Sequence, residues 1–276
     1  MGWGVVLAAG ALVLAAQERA PRSCEEMEQF LRSGKLGVQR DIPKGITLPK
    51  RATLEHNGLQ HDAAIQTVNI SKNYFQGQRT SELNFRDFWG FNIAGYELAK
   101  ILDLNMVPPY VERKVGGQSA SLSWWVDGAM MEAERVRKKL QPPDPETWNH
   151  EMYVARVFNQ LIANMDPNLT NFLITKDWKL WLIDFSRAFR MTKDPPNPKD
   201  LVRCERKLLA KLRALDRKEL EEKLVKPRYL NKMELDGLMA RRDKIVAFFE
   251  KEIAAKGEGA VLFDLPRVGE TCGVGL

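Results

Sequence analysis

Residues 154–190, VARVFNQLIANMDPNLTNFLITKDWKLWLIDFSRAFR, decide how the rest of the chain is read. Val154, Val157, Phe158, Leu161, Ile162 and Met165 recur at i, i+3, i+4 spacing, the pattern of a helix with one buried face, and it stops at Asp166-Pro167. A buried helix therefore delivers an aspartate into a loop. Asn168 and Asn171 follow, then two short apolar runs, Phe172 to Thr175 and Trp178 to Ile183, joined by Lys176-Asp177. This spacing predicts a β-hairpin ending on a second aspartate, Asp184.

Helix, polar loop, hairpin and acid in this order suit phosphoryl transfer, where catalysis is mostly positioning and neutralisation of charge by metal ions. Asp166 and Asn171 have the D-x-x-x-x-N spacing of a kinase catalytic loop. Asp184-Phe185-Ser186 follows a short hairpin, where kinases carry the metal-binding D-F-G. In that arrangement Asp166 orients or deprotonates an acceptor hydroxyl, and Asn171 and Asp184 hold Mg²⁺ or Mn²⁺ through hard oxygen donors. On these motifs the segment resembles the atypical branch of the protein-kinase-like superfamily, which holds HipA-type, phosphatidylinositol and four-jointed-type secretory kinases. Uncharacterised bacterial members of that branch are the nearest in pattern.

The resemblance implies an α+β, bilobal protein-kinase-like fold: a small antiparallel-sheet lobe over residues 21–127 and a larger, mainly helical lobe over 128–276, with ATP bound between them. His56-Asn57-Gly58 predicts a tight hairpin between strands running from Ile46 to Glu55 and from Leu59 to Ile70. Gly45, in Pro43-Lys44-Gly45-Ile46-Thr47, would then stand in the glycine-rich phosphate loop, or serve only a turn. Ala63-Ala64-Ile65-Gln66 falls where kinases have V-A-I-K, so Gln66 replaces the lysine that grips the α and β phosphates. Lys72, Lys44 or Lys50 would have to supply the missing cation. Asn92, or else Glu97, takes the place of the glutamate that pairs with that lysine, and a Gln66–Asn92 contact would make both halves of the pair neutral. Trp124, Trp125 and Val126 fall at the junction between the lobes, where an adenine is held or where the tryptophans pack the core.

Elsewhere the pattern predicts a helix from Cys24 to Arg40, a long helix from Asn84 to Leu104, and a second hairpin, Pro108 to Val115 and Ser119 to Val126, across Gly116-Gly117. Further helices are expected over Ala129 to Leu140, Thr147 to Met165, Leu201 to Leu215, Lys218 to Leu224 and Lys232 to Ala255.

With 276 residues, 44% of them hydrophobic, the chain can bury a large core. A net charge of +6 favours anionic ligands but fixes no fold. Basic residues are spread along the chain, with no zinc-finger spacing or RNA-recognition signature, so no specific nucleic-acid binding is expected. The apolar run from Gly4 to Ala16 is short for a bilayer span. It reads as a secretory signal over residues 1–20 with cleavage near Ala16 or Ala20, or as a first helix. A cleaved signal implies a secreted or periplasmic protein without a transmembrane segment; otherwise the protein is cytoplasmic. Cys24, Cys204 and Cys272, odd in number and widely spaced, suggest no disulfide framework or metal cluster.

The function expected is an ATP- and metal-dependent phosphotransferase acting on a protein hydroxyl, with lipid or small-molecule acceptors as the other possibilities. The competing reading is a catalytically weak or inactive module that binds a nucleotide or a partner, favoured by Gln66 and by Ser186 in place of glycine.

Overall fold

The computed structural model describes residues 23–42, 49–77 and 81–266. The expectations for residues 1–20, for the loop carrying Gly45 and for the tail beyond Pro266 lie outside the described residues.

Helix α1 (Cys24–Ser33) starts at a capping box, Ser23 accepting from the Glu26 N–H while Glu26 accepts from the Ser23 N–H, and buries Met27, Phe30 and Leu31. It stops sooner than the sequence suggests. At Gly34 a Cβ would lie 2.9 Å from the Phe30 carbonyl, and the residues expected to prolong the helix instead form an edge strand, β1 (Lys35–Asp41). Strands β2 (Lys50–His56) and β3 (Leu59–Gln66) form the expected hairpin. Asn57 and Gly58 both have positive φ, +48° and +79°, as a type I′ turn requires.

Next comes a feature the sequence reading missed. Strands β4 (Asn69–Gln76) and β5 (Ser81–Phe88) pair as a separate antiparallel ribbon where a helix had been expected from Asn84. Phe85, Phe88 and Phe91 imitate helical spacing, yet only Phe91 belongs to helix α2 (Gly90–Ile101). Strands β6 (Tyr110–Val115) and β7 (Gln118–Trp124) turn at Gly116 and Gly117 as predicted. The main sheet is antiparallel, in the order β1-β2-β3-β7-β6. Its inner face packs on α1, with Leu54, Ile65, Val111 and Leu122 at the centre.

After β7 the chain runs through Trp125 to Gly128 into β8 (Met130–Met131), helix α3 (Glu132–Lys138) and helix α4 (Pro145–Leu161). Asp144 caps α4 by accepting from the Glu146 and Thr147 N–H groups, and Pro145 fills the first turn, where no N–H is needed. Strands β9 (Phe172–Ile174) and β10 (Leu180–Leu182) are the hairpin predicted before Asp184, with β8 added at its edge. Helices α5 (Arg206–Ala214), α6 (Arg217–Leu220) and α7 (Lys232–Lys256) complete the second body, α7 crossing α4 and α5.

Arg241 of α7, fully buried, donates to the carbonyls of Leu161, Arg190 and Thr192. It thereby ties the end of α4 to the segment after Asp184. Among the described residues no helix is long and apolar enough to cross a membrane. Cys204 is a free buried thiol, whereas Cys24 is disulfide-bonded, against the expectation from cysteine spacing.

Candidate active site

The loop that ends α4 is fixed by its own side chains. Ala163 takes a left-handed conformation, φ +46°, which turns the chain out of the helix. Asn164, itself held by its Nδ2 on Asn159 Oδ1 at 3.0 Å, accepts the Asp166 N–H at 3.1 Å. Asn168 Nδ2 donates to Asp166 Oδ1 at 2.9 Å, and Asn171 Nδ2 donates to the Asp166 carbonyl at 3.0 Å. With its amide N–H₂ spent on that carbonyl, Asn171 keeps Oδ1 as a donor for a cation. The Ile183 N–H then bonds to the Asn171 carbonyl at 3.0 Å, so the end of the hairpin lies against the loop. Asn171 and Asp184, thirteen positions apart in sequence, line one cavity wall.

Asp184 itself has φ +59°, a conformation aspartate tolerates better than most residues. Its N–H meets the Tyr110 hydroxyl at 3.4 Å, and its Oδ1 accepts from the Ser186 N–H at 3.4 Å. Burial, reinforced by the Asp184 charge, raises the Tyr110 hydroxyl above its ordinary range. Behind the turn, Asp87 of β5 is hydrogen-bonded by Ser186. Burial first and the neighbouring Asp184 charge second push its carboxyl up.

The cavity is a cleft of about 440 Å³ between β2, β3 and β7 on one side and the loop and hairpin on the other. Gln66, Trp124, Trp125, Val126, Asn171 and Asp184 all contribute to it. Asn92, fully buried on α2, stands behind Gln66: its Nδ2 donates to Gln66 Oε1 and to Ser121 Oγ, and its Oδ1 accepts the Phe185 N–H at 2.7 Å. The neutral contact expected between Gln66 and Asn92 is therefore present. It leaves the Gln66 N–H₂ group to face a ligand. Glu97 pairs instead with Lys100.

The two tryptophans part company. Trp124 is nearly all core, stacked on His61 at 3.6 Å and edge-on to Phe30, whereas Trp125 is half-exposed to the cleft. The Arg51 guanidinium covers the Trp125 ring at 4.1 Å, and the Trp125 N–H is taken by the Asp62 carbonyl.

Lys72 is a correction. It lies on the exposed β4 ribbon, its Nζ 5.4 Å from the centre of the Phe75 ring, and is not among the lining residues of the cleft. Strand β3 ends at Gln66, and the chain enters the separate ribbon before reaching Lys72, so six residues of extension carry it away from the site. Among the described lining residues Arg51 is the one cation, and it was missed. Its signal was the Arg51-Asp62 pair across the hairpin, 2.5 Å apart, which the Asn57-Gly58 turn register could have revealed.

Arg187 and Arg190, which follow Asp184, are engaged with Glu82 of β5 at 2.6 and 2.8 Å. Among the described residues no three His, Cys, Asp or Glu side chains converge as a metal cluster. The donor set offered by Asn171 and Asp184 is two hard oxygens, which fits a cation that completes its shell with phosphate and water.

No protein-family model matches the sequence, and no curated protein resembles it in sequence. Solved structures do resemble it. The structure of hydra Fam20 with sugar superposes with a TM-score of 0.62 at 13% identity, covering 87% of this chain and 93% of that one. The Golgi casein kinase with Mn/ADP bound gives 0.61 at 14%, covering 89% and 80%. The Helicobacter pylori proinflammatory kinase CtkA gives 0.50 at 9%, covering 79% and 94%. At these identities the likeness is one of architecture, and the chain has an α+β, bilobal, protein-kinase-like fold.

Proposed function

We propose that the chain is an ATP- and divalent-metal-dependent phosphotransferase. The observation that carries this reading is the juxtaposition of Asn171 and Asp184 on one wall of the cleft, with Asn171 tethered to the backbone of Asp166. In this reading residues 21–127 make the small lobe and residues 128–276 the large one. Trp125 and Val126 hold the base, Gln66 donates to a phosphate oxygen, and Asn171 and Asp184 hold Mg²⁺ or Mn²⁺. Bound there, the cation would neutralise charge on the transferring phosphoryl group. Asp166 accepts the proton of an acceptor hydroxyl as that oxygen bonds to the γ-phosphorus, and the bond from the γ-phosphorus to the β–γ bridging oxygen breaks to release ADP. A protein hydroxyl is the proposed acceptor.

Work outside the cytoplasm is part of the same proposal, supported by the apolar run from Gly4 to Ala16 and the disulfide-bonded Cys24.

The test is a titration of the chain lacking residues 1–20 with ATP, with and without Mg²⁺ or Mn²⁺, beside Asp184→Ala and Asp166→Asn. Thermal stabilisation and transfer of the γ-phosphate are followed together. Metal-dependent stabilisation lost in Asp184→Ala, with transfer lost in both variants, supports the enzyme. The second reading, a binding module, is favoured by the neutral Gln66–Asn92 pair in place of a lysine ion pair. It requires stabilisation by nucleotide with no transfer to any acceptor, and unchanged binding in Asp166→Asn.

A further inference from the structure

A second cavity, of about 380 Å³, shares no lining residue with the cleft. It lies between the first turns of α4 and the β9–β10 turn, closed by Leu104, Asn105 and Met106 and by Leu265 and Pro266. Trp178 stands on its wall with φ +64°, the one position of the hairpin turn that usually takes glycine or asparagine. The Trp178 N–H on the Thr175 carbonyl at 2.9 Å and the Thr175 N–H on the Lys179 carbonyl at 3.2 Å close the turn around it. A bulky ring is thus kept in a backbone conformation that disfavours it, and its indole packs edge-on to Trp148 at 5.9 Å.

Glu151 lies one helical turn from Trp148 on the same wall. Its Oε2 accepts the Leu180 N–H at 2.9 Å, which leaves Oε1 without a hydrogen bond among the described residues, with the Lys179 ammonium as its neighbouring opposite charge. Burial raises the Glu151 carboxyl to about 7 against the pull of Lys179, so its charge is only partly compensated there. The lining carries three carboxylates, Asp144, Glu151 and Asp177, and one ammonium, Lys179, whose Nζ rests on the Trp181 ring at 4.0 Å. Asp144 is occupied in capping α4, and Asp177 stands at the exposed rim. The balance is negative in a chain of net charge +6. Carboxylate beside aromatic faces is the chemistry that holds an ammonium. A bare metal ion is disfavoured, since no three metal-binding side chains converge among the described residues.

We propose that this cavity binds a small organic cation, its ammonium seated against Trp178 with the free Glu151 oxygen as counter-charge. The site is independent of the phosphotransfer cleft, and neither residue belongs to the proposed catalytic machinery.

The probes are choline and 3,3-dimethylbutan-1-ol, its uncharged isostere, titrated calorimetrically against the full chain at pH 8, where Glu151 is ionised. Choline is expected to bind and to raise the melting temperature, with the isostere roughly tenfold or more weaker. Glu151→Gln keeps an acceptor for the Leu180 N–H and is expected to weaken choline about tenfold while leaving the isostere unchanged. Trp178→Gly suits the left-handed turn, so it is expected to fold at least as stably and still to weaken choline. Equal affinity for the two probes, undiminished choline binding in Glu151→Gln, or no choline binding to the parent chain overturns the proposal.

Discussion

Asn92 and Phe185 are joined by a 2.7 Å hydrogen bond from the Phe185 N–H to Asn92 Oδ1, while the other end of the same amide holds Gln66. One neutral side chain therefore couples β3 to the turn that carries Asp184. Asn92→Leu keeps the branched shape of the side chain and removes all three of its bonds, to Gln66, Ser121 and Phe185, leaving the buried Phe185 N–H without that partner. The expected cost is about 1 to 3 kcal/mol in urea unfolding. γ-Phosphate transfer is expected to fall more than ATP affinity, because Asp184 loses its fixed position while the base end of the cleft is untouched.

Gly95 approaches the same turn from the neighbouring face of α2, where a Cβ would lie 2.6 Å from Phe185 Cδ2. Gly95→Ala gains helix propensity, about 1 kcal/mol, but must displace a ring in a packed core. Net destabilisation of about 1 to 2 kcal/mol is expected, with a loss of metal-dependent ATP stabilisation larger than the stability change accounts for. An unaltered metal response in this variant would show that Phe185 does not position Asp184.

Much of this site is legible in the sequence, for physical reasons that also explain what was not. The helix before Asp166, the hairpin before Asp184 and both type I′ turns carry local signals: apolar periodicity, Asp-Pro, Asn-Gly and Gly-Gly. The β4–β5 ribbon carries none. It is largely exposed, so alternation along Ser71 to Tyr74 has no core to obey, and Phe85 with Phe88 extends the period of α2 backwards. Strand β1, solvated along most of its length, was hidden in the same way behind the end of α1. Misplacing the ribbon misplaced Lys72, and Arg51 went unnoticed because its role depends on a cross-strand partner.

Arg241 is a buried cation with no carboxylate partner among the described residues; burial lowers its guanidinium to about 9, and backbone carbonyls are what it meets. One of them, Leu161, ends α4, where a positive charge is favoured by the helix dipole. Arg241→Met fills the space but strands three carbonyls. A loss of about 3 kcal/mol or more is expected in denaturant unfolding, and Arg241→Lys, which lacks the planar fork, is expected to recover only part of it. Full stability in Arg241→Met would mean those carbonyls find water.

Glu151 gives the chain a pH signature. Its folded-state pKa of about 7 exceeds the ordinary 4.5, so the folded protein holds the extra proton between those values and loses stability as pH rises through that window. Discounted for partial exposure, the loss is expected to be about 2 kcal/mol. Glu151→Gln is expected to match the parent near pH 5 and to exceed it by that amount at pH 8. Parallel stability curves for the two proteins would contradict the assignment.

The grip of Glu82 on both Arg187 and Arg190 bears on how such a protein is governed. Many kinases toggle by letting the stretch beyond the metal-binding aspartate swing between two poses, released or recruited by a modification. Here Glu82 of β5 holds both arginines and Arg241 holds the Arg190 carbonyl, so moving that stretch means breaking two ion pairs and a buried hydrogen bond together.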